Sequence, residues 1–136
     1  MDDRQGEIAI GRESDVIVVR QTVRKITKTL EMGLTDTTRL VTAASELTRN
    51  IFLYAGSGVM RWQIIGSNSN RGIELVFVDQ GPGIVDIGQA MQEGYTTSKG
   101  LGMGLPGSRR LVDEMEVVSK VGEGTTVTIK KWNRRF

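Results

Sequence analysis

The strand-like segments of this chain come in adjacent pairs, and this pairing limits the possible folds more than any other feature of the sequence. Val59–Ile65 and Ile73–Val78 flank a polar turn, and Met115–Val121 and Thr125–Lys131 flank a short glycine-containing turn. Strands joined by short turns pair as antiparallel hairpins. The sequence therefore predicts a mostly antiparallel sheet that needs helices on only one of its faces.

Two longer segments carry apolar residues at three- and four-residue spacing, which is typical of amphipathic helices. The first begins with Ser14 as its predicted N-cap and is expected to stop at Gly33. The second begins at Thr35 or Asp36 and runs to about Leu53. We expect these two helices to cover the sheet.

Three shorter segments complete the predicted fold. They are a strand at Glu7–Ile10, a helix candidate at Asp86–Gln92 and a helix that opens at Pro106. We predict a two-layer α/β sandwich in which a mixed, mostly antiparallel sheet of about five strands carries three main helices on one face. The length fits one compact domain, and we expect residues 1–136 to form it.

The composition excludes several kinds of chemistry. The 136-residue chain contains no cysteine and no histidine, so it has no thiol nucleophile and no histidine general base. Catalysis would have to use carboxylates, hydroxyls, amides, lysine or arginine, with a bound metal or cofactor. The polar first residues argue against a signal peptide, and no apolar run reaches the roughly 20 residues of a membrane span. We therefore expect the cytoplasm.

The net charge of +2 is concentrated in the basic segment 130–136. Such a run is either a nucleic-acid contact or a solvated terminus. The second interpretation is favoured, because most terminal charge runs are simply solvated. We expect no nucleic-acid partner.

Glu46 and Asn50 lie four residues apart on the second predicted helix and therefore share a face. They stand beside Ala43, Leu47 and Ile51, where burying a carboxylate and an amide costs free energy unless these groups bind a partner. The Asn50 side-chain oxygen is a hard magnesium ligand, and Glu46 could accept a proton from a nearby nucleophile. Taken alone, the pair is a weak signal, since an exposed helix face is the more common origin of such a spacing.

Asp79, Gly81 and Gly83 directly follow the apolar strand that ends at Val78. A carboxylate at a strand end can accept a hydrogen bond from an exocyclic amine such as that of adenine. The two glycines would let the backbone approach a flat ring closely. An ordinary turn would have the same composition.

The segment 96–107 is dense in glycine and is followed by a predicted helix. The N–H groups of Gly100, Gly102 and Gly104, together with the helix N-terminus, could hold phosphates, and Lys99 could add a positive charge. The segment is neither a P-loop nor a Rossmann fingerprint, since it lacks their spacing and context. A floppy surface loop is the remaining alternative.

The order of these motifs resembles the GHKL superfamily of ATP-binding proteins. It runs from the acid/amide pair through the strand-end aspartate and the glycine segment to the Gly-x-Gly-Thr-Thr motif at 122–126. The segments SELTRNIFLYAG, DQGPGI and TTSKGLGMGLPGSRRLVDE further resemble the small serine/threonine kinases that regulate bacterial sigma factors, especially the switch kinases of the stressosome. The resemblance covers residues 8 to 131, nearly the whole chain.

Carried over to this chain, the resemblance implies a Bergerat ATP-binding fold that uses ATP and Mg²⁺. It implies Asn50 as the magnesium ligand and Glu46 as the candidate general base. It implies Asp79 as the acceptor for the adenine amine, with Gly83 beside the ring. Thr125, with Thr126 as the less favoured alternative, would support adenine through water. The alternating glycines of the segment 96–107 would form a lid over the phosphates.

The resemblance also implies phosphotransfer to a separate protein, since the chain has neither a histidine nor the helical domain on which histidine kinases receive phosphate. The implied substrate is a single-domain antagonist of the STAS fold, and a PP2C-type phosphatase is the implied second partner. Two alternatives stay open. One is an anti-sigma factor kinase that sequesters a sigma factor directly, and the other is a non-catalytic, nucleotide-gated binding module.

Overall fold

The computed structural model describes residues 4–67, 69–84 and 105–134. In these ranges the elements are β1 (Gln5–Ile10), α1 (Asp15–Thr29), α2 (Leu34–Asn50), a π-helix (Ile51–Ala55), β2 (Gly58–Ser67), β3 (Asn70–Asp79), α3 (Leu105–Leu111), β4 (Glu114–Lys120) and β5 (Gly124–Arg134). The helix predicted at Asp86–Gln92 lies outside the described residues. None of the helices in these ranges combines the length and the apolar character that a membrane crossing needs.

The five described strands form one sheet in the order β1-β2-β3-β5-β4, and each pairing is antiparallel. β2 with β3 and β4 with β5 are hairpins, as predicted. The pairing of β3 with β5 joins the two hairpins. Its register aligns Gly58, Asp79, Thr125 and Ser119 in one row across four strands, and this row positions the site described below.

One face of the sheet carries the hydrophobic core. Along β3, Ile73, Leu75 and Phe77 are buried at alternate positions, because successive side chains of a strand point to opposite faces. They share one core with the apolar stripes of both long helices, and burying each large side chain stabilises the fold by about 1.5–3 kcal/mol. The members of this core from the two long helices are Val19, Val23 and Ile26 from α1, and Leu40, Val41, Ala43, Ala44 and Leu47 from α2. The predicted two-layer α/β sandwich is confirmed.

The start of α1 differs from the prediction. Ser14 occupies the N-cap position, but its side chain makes no capping hydrogen bond. Instead, Oδ2 of Asp15 accepts hydrogen bonds from the N–H groups of Gly11 at 2.8 Å and Arg12 at 3.0 Å. The hydrogen bond from Gly11 lowers the pKa of the Asp15 carboxyl, because it stabilises the ionised form.

The prediction that Gly33 stops α1 is also wrong. α1 ends at Thr29, and Glu31 adopts the left-handed conformation with φ of 55°. The N–H of Met32 donates to the carbonyl of Thr27 at 2.9 Å, so the helix end is closed before Gly33 is reached. Gly33, with φ of −65°, instead precedes α2 as its N-cap residue.

The basic residues 130–134 belong to β5 and do not form the predicted solvated terminus. β5 pairs with β3 as far as Arg134, and the Lys131 side chain is only 8% exposed. Its Nζ lies 3.4 Å from Oδ1 of Asp36 and 3.6 Å from Oδ1 of Asp113. These ion pairs around the buried Lys131 ammonium group tie the start of α2 and the turn before β4 to the sheet.

Candidate active site

A cleft opens where the C-terminal end of α2 faces the ends of β3 and β5. About 500 Å³ of space, part of it open to solvent, lies between its walls. Its walls are formed by Leu47, Asn50, Ile51, Tyr54, Ala55, Phe77, Asp79, Pro82, Gly83, Ile84, Leu105, Thr125 and Val127. A mostly apolar wall with a few convergent polar groups is the usual composition of a ligand site.

Four of the predicted site residues meet in this cleft. Asn50, Asp79, Gly83 and Thr125 all line it, although they come from a helix, a strand end, a loop and a second strand. The other predicted binding residues before α3 lie outside the described residues: Lys99, Gly100, Gly102 and Gly104. The structure thus brings three separate sequence motifs to one place.

Glu46 does not share the environment of Asn50. Its side chain is 45% exposed, its Oε1 accepts a hydrogen bond from Nη1 of Arg49 at 3.2 Å, and it is not one of the cleft-lining residues. The prediction of a buried carboxylate beside the core is therefore wrong. The buried arc of α2 passes through Leu47 and Thr48, and position 46 falls on its exposed edge, where a partner three residues away is in reach.

The π-helix continues α2 directly after Asn50 and forms one wall of the cleft. Its turn is wider than an α-helical turn, and it places Ile51, Tyr54 and Ala55 along the cleft. π-helical turns occur frequently at functional sites. Sequence reasoning missed Tyr54 as a lining residue. The available signal was its position four residues after Asn50, the same spacing that singled out Glu46.

The Asp79 carboxylate is held by the turn that follows β3. Its Oδ1 accepts a hydrogen bond from the N–H of Gly81 at 2.9 Å, the arrangement of an Asx turn. In the described ranges Oδ2 has no hydrogen-bond partner, so it is available to a donor group of a ligand. A side chain at Gly81 would bring its Cβ to 2.6 Å from Cβ of Ala55. Glycine at position 81 therefore lets the turn pack directly on the π-helix.

Gly83 is buried and adopts φ of 80°, a conformation that favours glycine. A Cβ added there would lie 2.5 Å from the carbonyl oxygen of Lys120 and 3.0 Å from Cα of Val121. Sequence reasoning explained this glycine by the approach of a flat ring. The structure adds a reason that needs no ligand, because the loop after β3 packs against the backbone at the end of β4.

Ser119 links that loop to the β4–β5 hairpin. Its Oγ lies 2.8 Å from the backbone nitrogen of Ile84, 3.1 Å from the carbonyl oxygen of Gly124 and 2.7 Å from Oγ1 of Thr125. A further hydrogen bond of 2.9 Å runs from the Gly122 N–H to the carbonyl of the loop residue before Gly83. Two motifs that are separate in the sequence therefore form one hydrogen-bonded unit beside the cleft.

Sequence reasoning missed Ser119 altogether. The available signal was the alternation of β4, in which Met115 and Val117 pack against the core and Ser119 follows at the next position of the same face. A hydroxyl at such a position needs a hydrogen-bond partner when it is buried. The identity of the partners depends on the pairing of β4 with β5 and on the loop after β3.

Residues 35–135 match the family described as histidine kinase-, DNA gyrase B-, and HSP90-like ATPase. This chain belongs to that family, so the resemblance to the GHKL superfamily is confirmed. More particularly, it is 44% identical over 130 residues to the serine/threonine-protein kinase RsbT of Bacillus subtilis, covering 96% of this chain and 98% of that protein. It is 33% identical over 117 residues to the anti-sigma F factor of Halalkalibacterium halodurans, covering 82% of this chain and 80% of that one.

Solved structures show the same fold at low sequence identity. A structure of the RsbU and RsbW domains of a Mycobacterium tuberculosis protein superposes with a TM-score of 0.61 at 20% identity, covering 96% of this chain and 32% of that chain. The catalytic domain of the histidine kinase ThkA superposes with a TM-score of 0.56 at 11% identity, covering 96% of this chain and 99% of that domain. These similarities support the fold alone.

Proposed function

We propose that this protein is an ATP-dependent serine/threonine protein kinase of a partner-switching pathway, acting as one domain of residues 1–136 in the cytoplasm. The observation that carries the proposal is the meeting of Asn50 and Asp79 in one cleft. The first offers an amide oxygen to a metal, and the second offers a carboxylate to a purine amine. The 44% identity to the Bacillus subtilis kinase, over almost the full length of both chains, supports the same activity.

Asn50 is the residue that we assign to magnesium. In the described part of the chain no three histidine, cysteine or acidic side chains form a group that could hold a metal, so a complete protein cage is not expected from these ranges. This fits magnesium, which keeps several waters and is bound through one or two protein oxygens and substrate phosphates. The ion, when bound, supplies positive charge that neutralises the transferred phosphoryl group.

For ATP itself we assign two polar contacts to the base and one group of contacts to the phosphates. Oδ2 of Asp79 accepts from the adenine amine, and Thr125, its neighbour in the sheet register, contacts the same edge directly or through water. Gly81 and Gly83 form the loop beside the ring. The phosphate contacts are assigned to Lys99 and to the N–H groups of Gly100, Gly102 and Gly104.

Glu46 is the residue that we assign as the general base or orienting group. The hydroxyl that receives the phosphoryl group is carried by another protein, so the base must be accessible, and the 45% exposed carboxylate of Glu46 meets that need. It lies one helical turn before Asn50, and its ion pair with Arg49 restrains it there. In the proposed reaction Glu46 accepts the hydroxyl proton while the hydroxyl oxygen attacks the γ-phosphorus in line and ADP leaves.

The proposed substrate is an STAS-domain antagonist, phosphorylated on serine or threonine. A PP2C-type phosphatase is proposed as a second partner that the free kinase activates by binding. The support for both partners is the similarity to the Bacillus subtilis kinase and the resemblance of the motifs. Incubation with labelled ATP, magnesium and candidate STAS proteins, followed by a phosphoprotein gel, tests the substrate directly.

Nucleotide binding is tested by thermal unfolding with and without magnesium and ATP. A ligand present at about 100 times its Kd stabilises the folded state by roughly 2.7 kcal/mol, so the parent protein should melt at a higher temperature. Asp79→Ala should abolish this shift because it removes the acceptor for the amine. Gln80→Ala, at the exposed next position, is the matched control and should keep it. A folded parent protein that shows no shift at millimolar ATP would refute the proposal.

Catalysis is tested by separating nucleotide affinity from phosphotransfer. Asn50→Ala should weaken magnesium-dependent binding and transfer together. Glu46→Gln should leave nucleotide affinity nearly intact and slow transfer by roughly 10²–10⁴-fold, the range of a positioned acid or base. Glu7→Gln removes another exposed, ion-paired carboxylate, bonded to Arg61 at 3.0 Å, and should change neither quantity. Transfer at the parent rate by Glu46→Gln would exclude Glu46 as the base and favour a non-catalytic binding module.

The second candidate function is sequestration of a sigma factor, as in an anti-sigma factor kinase. It is favoured by the 33% identity to an anti-sigma F factor over 82% of this chain, against 44% over 96% for the kinase. Size-exclusion chromatography with purified sigma factors distinguishes the two. Nucleotide-dependent capture of a sigma factor would support this second candidate.

A further inference from the structure

We propose that Ser119 is a positioning residue that fixes the Thr125 hydroxyl as a hydrogen-bond acceptor toward the bound base, and that this makes the cleft select 6-aminopurine over 6-oxopurine nucleotides. The inference rests on the proposed binding of ATP in this cleft and specifies how its base is recognised. Ser119 lies outside the cleft lining and acts through Thr125, which lies within it.

Ser119 has several hydrogen-bond contacts but only one hydroxyl proton. A hydroxyl has one proton to donate and two lone pairs to accept with. The Ile84 N–H, at 2.8 Å, can only donate to Ser119, and the Gly124 carbonyl, at 3.1 Å, can only accept from it. We assign the single Ser119 proton to Gly124, because only this arrangement makes every contact of Ser119 a hydrogen bond. The third contact, 2.7 Å to Oγ1 of Thr125, is then a hydrogen bond only if Thr125 is the donor.

The Thr125 hydroxyl also has one proton. Because it is directed to Ser119, the Thr125 oxygen can only accept hydrogen bonds from the cleft that it lines. Asp79, beside it in the sheet register, also presents an acceptor. Two neighbouring acceptors suit an amino group, which donates two protons, and they oppose a 6-oxo group, whose oxygen also only accepts.

Ser119 also prevents a second orientation of the Thr125 hydroxyl. Without its acceptor, the Thr125 hydroxyl can rotate and donate into the cleft, where it would satisfy a 6-oxo group. Sites built to hydrogen-bond one substrate group reject analogues because mispaired polar groups are left behind. Removing Ser119 should therefore relax the preference for adenine while Asp79 retains part of it. We expect a loss of selectivity of roughly tenfold, the effect of one mispaired hydrogen bond.

The experiment compares ATP with inosine triphosphate, which differs in the group at position 6 and at the adjacent ring nitrogen. Affinities of both are measured by calorimetry at fixed magnesium for the parent protein, Ser119→Ala, Thr125→Val and Thr125→Ser. The parent should prefer ATP, and Ser119→Ala and Thr125→Val should each lower that preference about tenfold. Thr125→Ser should keep it, because the hydroxyl is restored. Thr126→Val, at the next position of β5 and outside the cleft lining, is the matched control.

If Ser119 had a merely structural role, its loss would weaken the binding of both nucleotides equally and leave their affinity ratio unchanged. The ratio therefore distinguishes a positioning role from a structural one. The double variant Ser119→Ala/Thr125→Val should have the same ratio as Thr125→Val alone, since Ser119 acts through Thr125. An unchanged ratio in folded Ser119→Ala would overturn the inference while ATP binding stands. If Ser119→Ala does not fold, equal ratios for Thr125→Val and Thr125→Ser overturn it instead. If the parent protein binds neither nucleotide, the proposed function itself is wrong.

Discussion

Replacing Gly83 by alanine should destabilise the protein through two separable effects. The first is backbone strain, because Gly83 has φ of 80° and a residue with a Cβ loses about 1–2 kcal/mol in the left-handed region. The second is a steric clash, because the new Cβ would lie 2.5 Å from the Lys120 carbonyl oxygen. That atom belongs to the backbone of a strand and cannot rotate away.

The structure offers a control that carries only the first effect. Gly122 has φ of 82°, and a Cβ added there meets nothing within 4 Å. Gly122→Ala should therefore cost about 1–2 kcal/mol of unfolding free energy. Gly83→Ala adds an overpacking cost of about 1–3 kcal/mol, for a total of about 2–5 kcal/mol.

Urea unfolding at 25 °C, followed by circular dichroism, gives both free energies of unfolding. The difference between the two alanine variants isolates the close packing of the loop on the strand. If Gly83→Ala and Gly122→Ala lose the same stability, the loop relaxes freely and the packing argument is wrong. Gly83→Ala should also weaken ATP binding. If it lowers the free energy of unfolding but leaves the affinity for ATP unchanged, the loop position does not affect the cleft.

Two further variants test features outside the cleft. Lys131→Ala leaves two carboxylates, 40% and 29% exposed, without their buried cation. The loss in unfolding free energy should be about 1–3 kcal/mol, less than for a fully buried pair, whereas Lys130→Ala should lose under about 1 kcal/mol. Equal losses of stability in Lys131→Ala and Lys130→Ala would contradict the argument that burial strengthens the ion pairs of Lys131. Asp15→Asn should reduce stability at neutral pH, with Glu13→Gln as its control. The folded-state pKa of Asp15 lies below its usual 3.8, so its contribution is present above that pH and disappears as the pH falls through the lowered pKa. A deficit independent of pH would show that the ionised carboxylate does not provide this stabilisation.

The elements of the fold could be predicted because their signals are local. Alternation of apolar residues marks the strands, and three- and four-residue spacing marks the helices. The burial of Lys131 could not be predicted in this way, because its partners Asp36 and Asp113 are distant in the sequence. A basic run near the end of a chain has the same composition whether it is solvated or paired across a sheet.

The candidate site could be predicted in part for the same reason. Asp79 and Gly83 follow a strong strand signal, and the order of the motifs links them to Asn50 and Thr125. The environment of Glu46 was predicted wrongly, because spacing fixes the face of a helix but not the width of its buried arc. Ser119 carries no local signal of its partners, since its hydrogen bonds depend on strand pairing and on the loop after β3.

The strand order also has a consequence for the folding pathway. The two hairpins join neighbouring segments and can form in microseconds, whereas the pairing of Asp79 with Thr125 closes a long stretch of chain. Distant segments can pair only after loop closure, which costs entropy. Such pairings therefore slow the folding of sheets. Asp79 and Thr125, the two residues proposed to contact the adenine edge, are brought together only when this pairing has formed. Recovery of nucleotide binding during refolding should therefore lag behind formation of the hairpins and report the completion of the sheet.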